Sequence, residues 1–83
     1  MADRLLNRLK VLRAMHDLTQ ADLAERVRVT RKSINAIERG RFVPSTELAL
    51  RIAGVFKTSV EDVFQLPDSP TREWAGGPEA DGT

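Results

Sequence analysis

Five side chains between positions 31 and 39 have the chemistry to read a nucleic-acid duplex: Arg31, Lys32, Asn35, Ala36 and Arg39. On a helical wheel of about 100° per residue with Arg31 at zero, all five fall between roughly 0° and 140°. Ile34 and Ile37 fall opposite, near 300° and 240°, and Glu38 stays at the edge near 340°. The outward face is therefore cationic, carries one amide and contains no acid. A DNA major groove about 12 Å wide admits one helix. Arg can fork onto the two acceptors of guanine, Asn can pair with adenine, and Ala permits close approach or contact with a thymine methyl. Lys32 and Ser33 can reach phosphates or base edges. A charged outer face is also ordinary for a solvated helix, and the wheel alone favours that plainer reading.

The elements that must position this face follow from periodicity and caps. Leu5, Leu9, Leu12 and His16 recur at helical steps and predict a first helix over 3–16. A break follows at 17–19. Thr19-Gln20-Ala21-Asp22 reads as a capping box opening a second helix, with Leu23, Ala24 and Val27 inward. Arg28-Val29 is a second break, and Thr30 is the next N-cap. The third helix runs to about Arg39 and stops at Gly40, a residue suited to a left-handed helix end. Residues 41–44 form an extended connector. Ser45 caps a fourth helix whose inner stripe is Leu48, Ala49, Ile52, Ala53 and Phe56, and Gly54 within it suggests close packing. Ser59-Val60-Glu61-Asp62 is another capping box, opening a short fifth helix with Val60, Val63 and Phe64. The expected architecture is all-α, with five short helices.

A short capped helix, a tight turn and a second short helix form the helix-turn-helix unit. Gln20 to Arg39 has that layout, and Ala24 supplies the small residue where two crossing helices would meet.

With these residues in place, the chain resembles the phage-repressor family of Cro/C1 (Xre) type over residues 5–66. The matching text is Asn7-Arg8-Leu9-Lys10 with Arg13, then Thr19 through Val27, Val29 through Gly40, Pro44-Ser45, Leu48 through Ala53 and Asp62-Val63-Phe64. Within that family it most resembles the compact single-domain regulators. The resemblance implies sequence-specific binding of double-stranded DNA at a palindromic operator, by a homodimer that probes the major groove with 30–39 and represses a promoter. It implies that Arg31, Lys32, Asn35 and Ala36 face bases. Thr30, Ser33 and Arg39 would meet phosphate. Gln20, at the start of the second helix, would hold a phosphate and buttress the recognition helix, with Thr19 beside it on the DNA side. Arg41 would touch the backbone beside it. Arg13 and Glu38 match a pair bridged inside the fold. One departure stands out: the family usually has Gly at the first turn residue, where this chain has Arg28, at a cost of roughly 1–2 kcal/mol for a left-handed conformation.

A single recognition helix reads too few base pairs for specificity in a genome, so a dimer is expected, with half-sites about 34 Å apart. Val60, Val63, Phe64 and Leu66 are the candidate dimer surface, because so short a helix carries more apolar side chain than one face buries. The competing reading is that they close the monomer's own core. An antitoxin or protein-interaction adaptor on the same fold is the alternative function.

Composition bounds the rest. The 83 residues fit one domain. The chain has no Cys and one His, His16, which excludes disulfides, thiolate zinc sites, cysteine nucleophiles and His-pair metal sites. Asp17, Asp22, Glu25, Ser59 and Asp62 have ready work as caps or solvated charges, and no Gly-rich phosphate loop or triad spacing occurs. No enzymatic activity, cofactor, metal or small-molecule substrate is expected. No apolar run reaches the roughly 18 residues of a membrane span, and Met-Ala-Asp-Arg opens no signal core. The expected location is the cytoplasm of a bacterial or phage-type system, at the nucleoid. Charge is uneven: residues 1–66 hold 12 basic and 8 acidic side chains, while 67–83 hold one basic and four acidic, with three of the four prolines and three of the five glycines. The expectation is a DNA-binding domain over 1–66 and a mostly disordered acidic tail over 67–83, with Trp74 its one anchor candidate.

Overall fold

Asn7 decides where the chain first becomes helical. In the computed structural model, which describes residues 5–67, its side-chain oxygen accepts the Leu9 N–H at 3.0 Å, while its amide donates to the carbonyls of Ile37 (3.0 Å) and Glu38 (3.3 Å). The first helix is consequently α1, Leu9–Met15, shorter than the expected 3–16. Leu6–Asn7 is instead a short strand, β1, paired antiparallel with β2, Phe64–Gln65. Leu6 lies opposite Gln65 and Asn7 opposite Phe64, and the Arg8 N–H extends the tie to the Val63 carbonyl at 3.0 Å.

The remaining helices are α2 (Gln20–Val27), α3 (Arg31–Glu38), α4 (Thr46–Val55) and α5 (Val60–Val63). Their N-caps are the expected hydroxyl residues. Thr19 forms the complete reciprocal box with Asp22, and Thr30, Ser45 and Ser59 each accept the N–H three residues on. Each such cap contributes about 1 kcal/mol. The C-terminal ends of α1 to α4 share one device. A residue with positive φ follows the last turn, at Asp17 (57°), Arg28 (64°), Gly40 (75°) and Lys57 (56°). The N–H of the next residue then returns to a carbonyl five positions back: Leu18 to Arg13, Val29 to Ala24, Arg41 to Ala36 and Thr58 to Ala53. These returns satisfy carbonyls the helices leave open. Arg28 thus takes the left-handed conformation its position demands, without the glycine that would adopt it freely.

All five helices contribute to one core. Leu9, Leu23, Val27, Ile34 and Ile52 are wholly shielded from solvent, with Ile37 and Phe56 nearly so. Ala24 is buried in α2, the helix that packs most extensively against α3. Gly54 departs from expectation. It faces outward, and a methyl group there would meet nothing within 4 Å. His16 also leaves the inner stripe; it is exposed, and its ring lies 5.1 Å from that of Phe56.

Val63 and Phe64 correct the expected dimer surface. They are 1% and 7% exposed within a single chain. The reason is the ladder: α5 ends after one turn, and the extended backbone at Phe64 directs its ring into the core. Val60 is partly buried at the core's edge, and Leu66 is exposed. The expected tail, Pro67 aside, and Trp74 with it lie outside the described residues.

Candidate nucleic-acid interface

The helix α3 is anchored by what it buries. Ile34 and Ile37 fix its rotation, so the side chains about half a turn away must face out. Arg31, Lys32 and Arg39 are exposed; Ser33, Asn35 and Ala36 are half-exposed. Thr30, also exposed, accepts the Ser33 N–H at 3.1 Å and donates its hydroxyl to Ser33 Oγ at 3.1 Å. Among the described residues, Arg31, Lys32, Arg39 and Arg41 have no acidic partner. Their charge is therefore available to an external anion, and the amino end of α3 adds the favourable end of its dipole.

The start of α2 lies alongside. The Thr19 hydroxyl oxygen accepts the Asp22 N–H at 2.9 Å, and the Thr19 N–H donates to Asp22 Oδ2 at 3.0 Å. This holds the Asp22 carboxyl below its ordinary value, chiefly through the Thr19 backbone N–H and then through its hydroxyl. Gln20 reaches across to α3. Its Nε2 donates to Glu38 Oε1 at 3.0 Å, and its Oε1 faces Asn35 Nδ2 at 3.5 Å.

Behind this surface stands the expected ion pair. Arg13 Nε meets Glu38 Oε2 at 2.6 Å, Arg13 Nη2 meets Glu38 Oε1 at 3.1 Å, and Arg13 Nη1 donates to the Leu18 carbonyl at 3.0 Å. The side chains are only 15% and 9% exposed. The Glu38 hydrogen bond, aided by its charge, raises the Arg13 pKa above the ordinary arginine value. Asn7 completes the support by clamping the carbonyls at the end of α3. Sequence reasoning gave Asn7 no role. The available signal was an Asn two residues before the first buried leucine, which is a local cap pattern.

A helix-turn-helix family profile matches residues 9–63. The chain belongs to the Xre/Cro-C1 helix-turn-helix family. Members of this family are DNA-binding transcriptional regulators, not enzymes. An uncharacterized HTH-type transcriptional regulator of Methanocaldococcus jannaschii is 48% identical over 62 residues, 75% of this chain and 94% of that protein. YgzD of Bacillus subtilis, another HTH-type regulator, is 47% identical over the same share of both chains. Among solved structures, the clp gene regulator ClgR of Corynebacterium glutamicum superposes with a TM-score of 0.61 at 35% identity; the match spans 65% of this chain and 57% of ClgR. A Bacteroides fragilis protein gives a TM-score of 0.66 at 23% identity, a likeness of fold. In the family's terms α2 and α3 are the helix-turn-helix pair. No helix among the described residues is long and apolar enough to cross a membrane.

Proposed function

We propose that this family member binds a palindromic operator as a homodimer and represses transcription, with α3 inserted in the major groove. Arg31, Lys32, Asn35 and Ala36 face base edges. Thr19, Gln20, Thr30, Ser33, Arg39 and Arg41 meet the phosphates on either side. The carrying observation is the outer face of α3, amide-bearing and with cations that have no acidic partner among the described residues, held at a fixed rotation by two buried isoleucines. A pure protein-interaction adaptor would not need a face kept basic and free of acids.

The dimer surface, revised for the burial of Val63, is the mainly apolar groove of about 290 Å³ bordered by Leu5, Pro44, Leu50, Val60 and Leu66, with the edge of the Phe64 ring in its wall. Leu50 and Leu66 are 58% and 62% exposed. A dimer of this kind is expected to meet half-sites one helical turn apart, about 34 Å. A bound dimer excludes other proteins from the same grooves, which is repression by occlusion. Protein-bound sequences selected from random duplexes test this reading. It expects a two-fold symmetric motif with half-site centres about 10 base pairs apart. Recovery of no motif would contradict it.

A further inference from the structure

The network behind α3 has a fixed polarity. Arg13 has donors only, so it requires acceptors of Glu38. The Glu38 carboxylate has acceptors only, so the Gln20 group facing it must be the amide nitrogen, as the 3.0 Å contact to Nε2 has it. The Gln20 oxygen is thereby left toward Asn35, 3.5 Å from Nδ2. Asn35 then commits one N–H toward Gln20 and presents its oxygen and remaining N–H outward, one acceptor beside one donor. That pattern matches the N6 donor and N7 acceptor of adenine; guanine offers two acceptors, O6 and N7.

We propose that the charge of Glu38, held by Arg13, sets the direction of the Asn35 amide through Gln20 and so selects adenine over guanine. Arg13, Glu38 and Gln20 are positioning residues in this relay. It rests on the reading of Asn35 as a base contact. Replacing the carboxylate by an amide reverses the chain of donors. In Glu38→Gln the short bond from Arg13 Nε holds the new oxygen at the Oε2 position, so the amide nitrogen stands at the Oε1 position, facing Gln20 and losing the bond from Arg13 Nη2. Gln20 turns its own nitrogen to Asn35, and Asn35 presents two N–H donors to the groove.

The test is selection from random duplexes with the wild type, Asn35→Ala, Glu38→Gln and Gln20→Leu, each checked for a cooperative thermal melt. Asn35→Ala identifies the base position at issue by abolishing its preference. At that position the wild type should favour adenine over guanine by about tenfold or more. Glu38→Gln should bring that ratio to about one or reverse it, with other positions unchanged. Gln20→Leu leaves the Arg13–Glu38 pair in place and should also erase the ratio, which keeps the proposal testable if Glu38→Gln does not fold. A structural or phosphate-holding role for Gln20 alone would lower affinity on all sequences and leave the ratio intact. Adenine preference kept in a folded Glu38→Gln or in Gln20→Leu would overturn the relay. An Asn35→Ala motif identical to wild type would instead overturn the base contact, and the relay with it.

Discussion

The Arg13 guanidinium grips the Glu38 carboxylate through two N–H···O bonds, 2.6 and 3.1 Å long, across 25 positions of sequence. The bridge joins α1 to the last residue of the recognition helix, so the orientation of the interface depends on it. Removing either partner leaves a shielded charge unpaired, which costs about 3 kcal/mol. Arg13→Ala and Glu38→Ala should each lower the melting midpoint by roughly 10–20 °C. Glu47→Ala should change stability by less than about 0.5 kcal/mol, because its partner Arg51 and Glu47 itself are largely exposed. Thermal melts of the three variants check both statements.

Left-handed residues without glycine store strain that substitution can release. Arg28→Gly and Lys57→Gly should each stabilise by about 1 kcal/mol, since a side chain at positive φ is disfavoured by that order. Gly54→Ala should add about 0.5–1 kcal/mol, because Gly54 lies inside α4 with open space where the methyl would go. Denaturant midpoints measured at constant slope report these gains.

How far these features could be read in advance depended on their range in sequence. The caps at Thr19, Thr30, Ser45 and Ser59 are local chemistry, and each forms as its hydroxyl and spacing dictate. The rotation of α3 followed from two isoleucines. The start of α1 did not follow, because what holds Asn7 out of a helix is a pair of carbonyls 30 and 31 residues away. Val63 and Phe64 were ambiguous for the same reason: a four-residue helix has no clear inner face until β1 pairs with β2. Gly54 suggested close packing by composition, whereas its surroundings are open. The link from Gln20 to Asn35 needs two helices placed side by side. Arg13 with Glu38 was recognisable through family likeness rather than through periodicity.

Acid should weaken the α2 cap specifically. Asp22 titrates below its ordinary value of 3.8, held there first by the Thr19 N–H. A carboxyl depressed in the folded state adds stability above its unfolded value, and that contribution disappears as pH falls through the folded one. Asp22→Ala should therefore melt below wild type at pH 7, and the gap should narrow as pH falls below 3.8. A gap that widened with acid would contradict the cap's role.

Base and phosphate contacts should separate by sequence and by salt. Asn35→Ala should lose about 1–3 kcal/mol on the selected site and little on other DNA. Arg39→Ala should lose affinity on all sequences and reduce the salt slope by about one. For a dimer neutralising about 4–6 phosphates, log K should fall against log salt with a slope of about −4 to −5. Titrations of labelled duplexes across a salt series measure all three.

Self-association should depend on the exposed leucines. Leu66→Glu and Leu50→Glu place charge in the apolar groove without disturbing a buried residue. Both should shift sedimentation toward the 9.3 kDa monomer and leave the melting cooperative.

Groove occupancy itself is accessible to chemical protection. Guanine N7 lies in the major groove and adenine N3 in the minor groove, and dimethyl sulfate methylates both. On the selected duplex, bound protein should shield guanine N7 within each half-site, leave adenine N3 reactive there, and lose the N7 shielding when Arg31 and Asn35 are both replaced by Ala. Shielding of N3 with N7 left open would place the protein in the wrong groove and contradict insertion of α3.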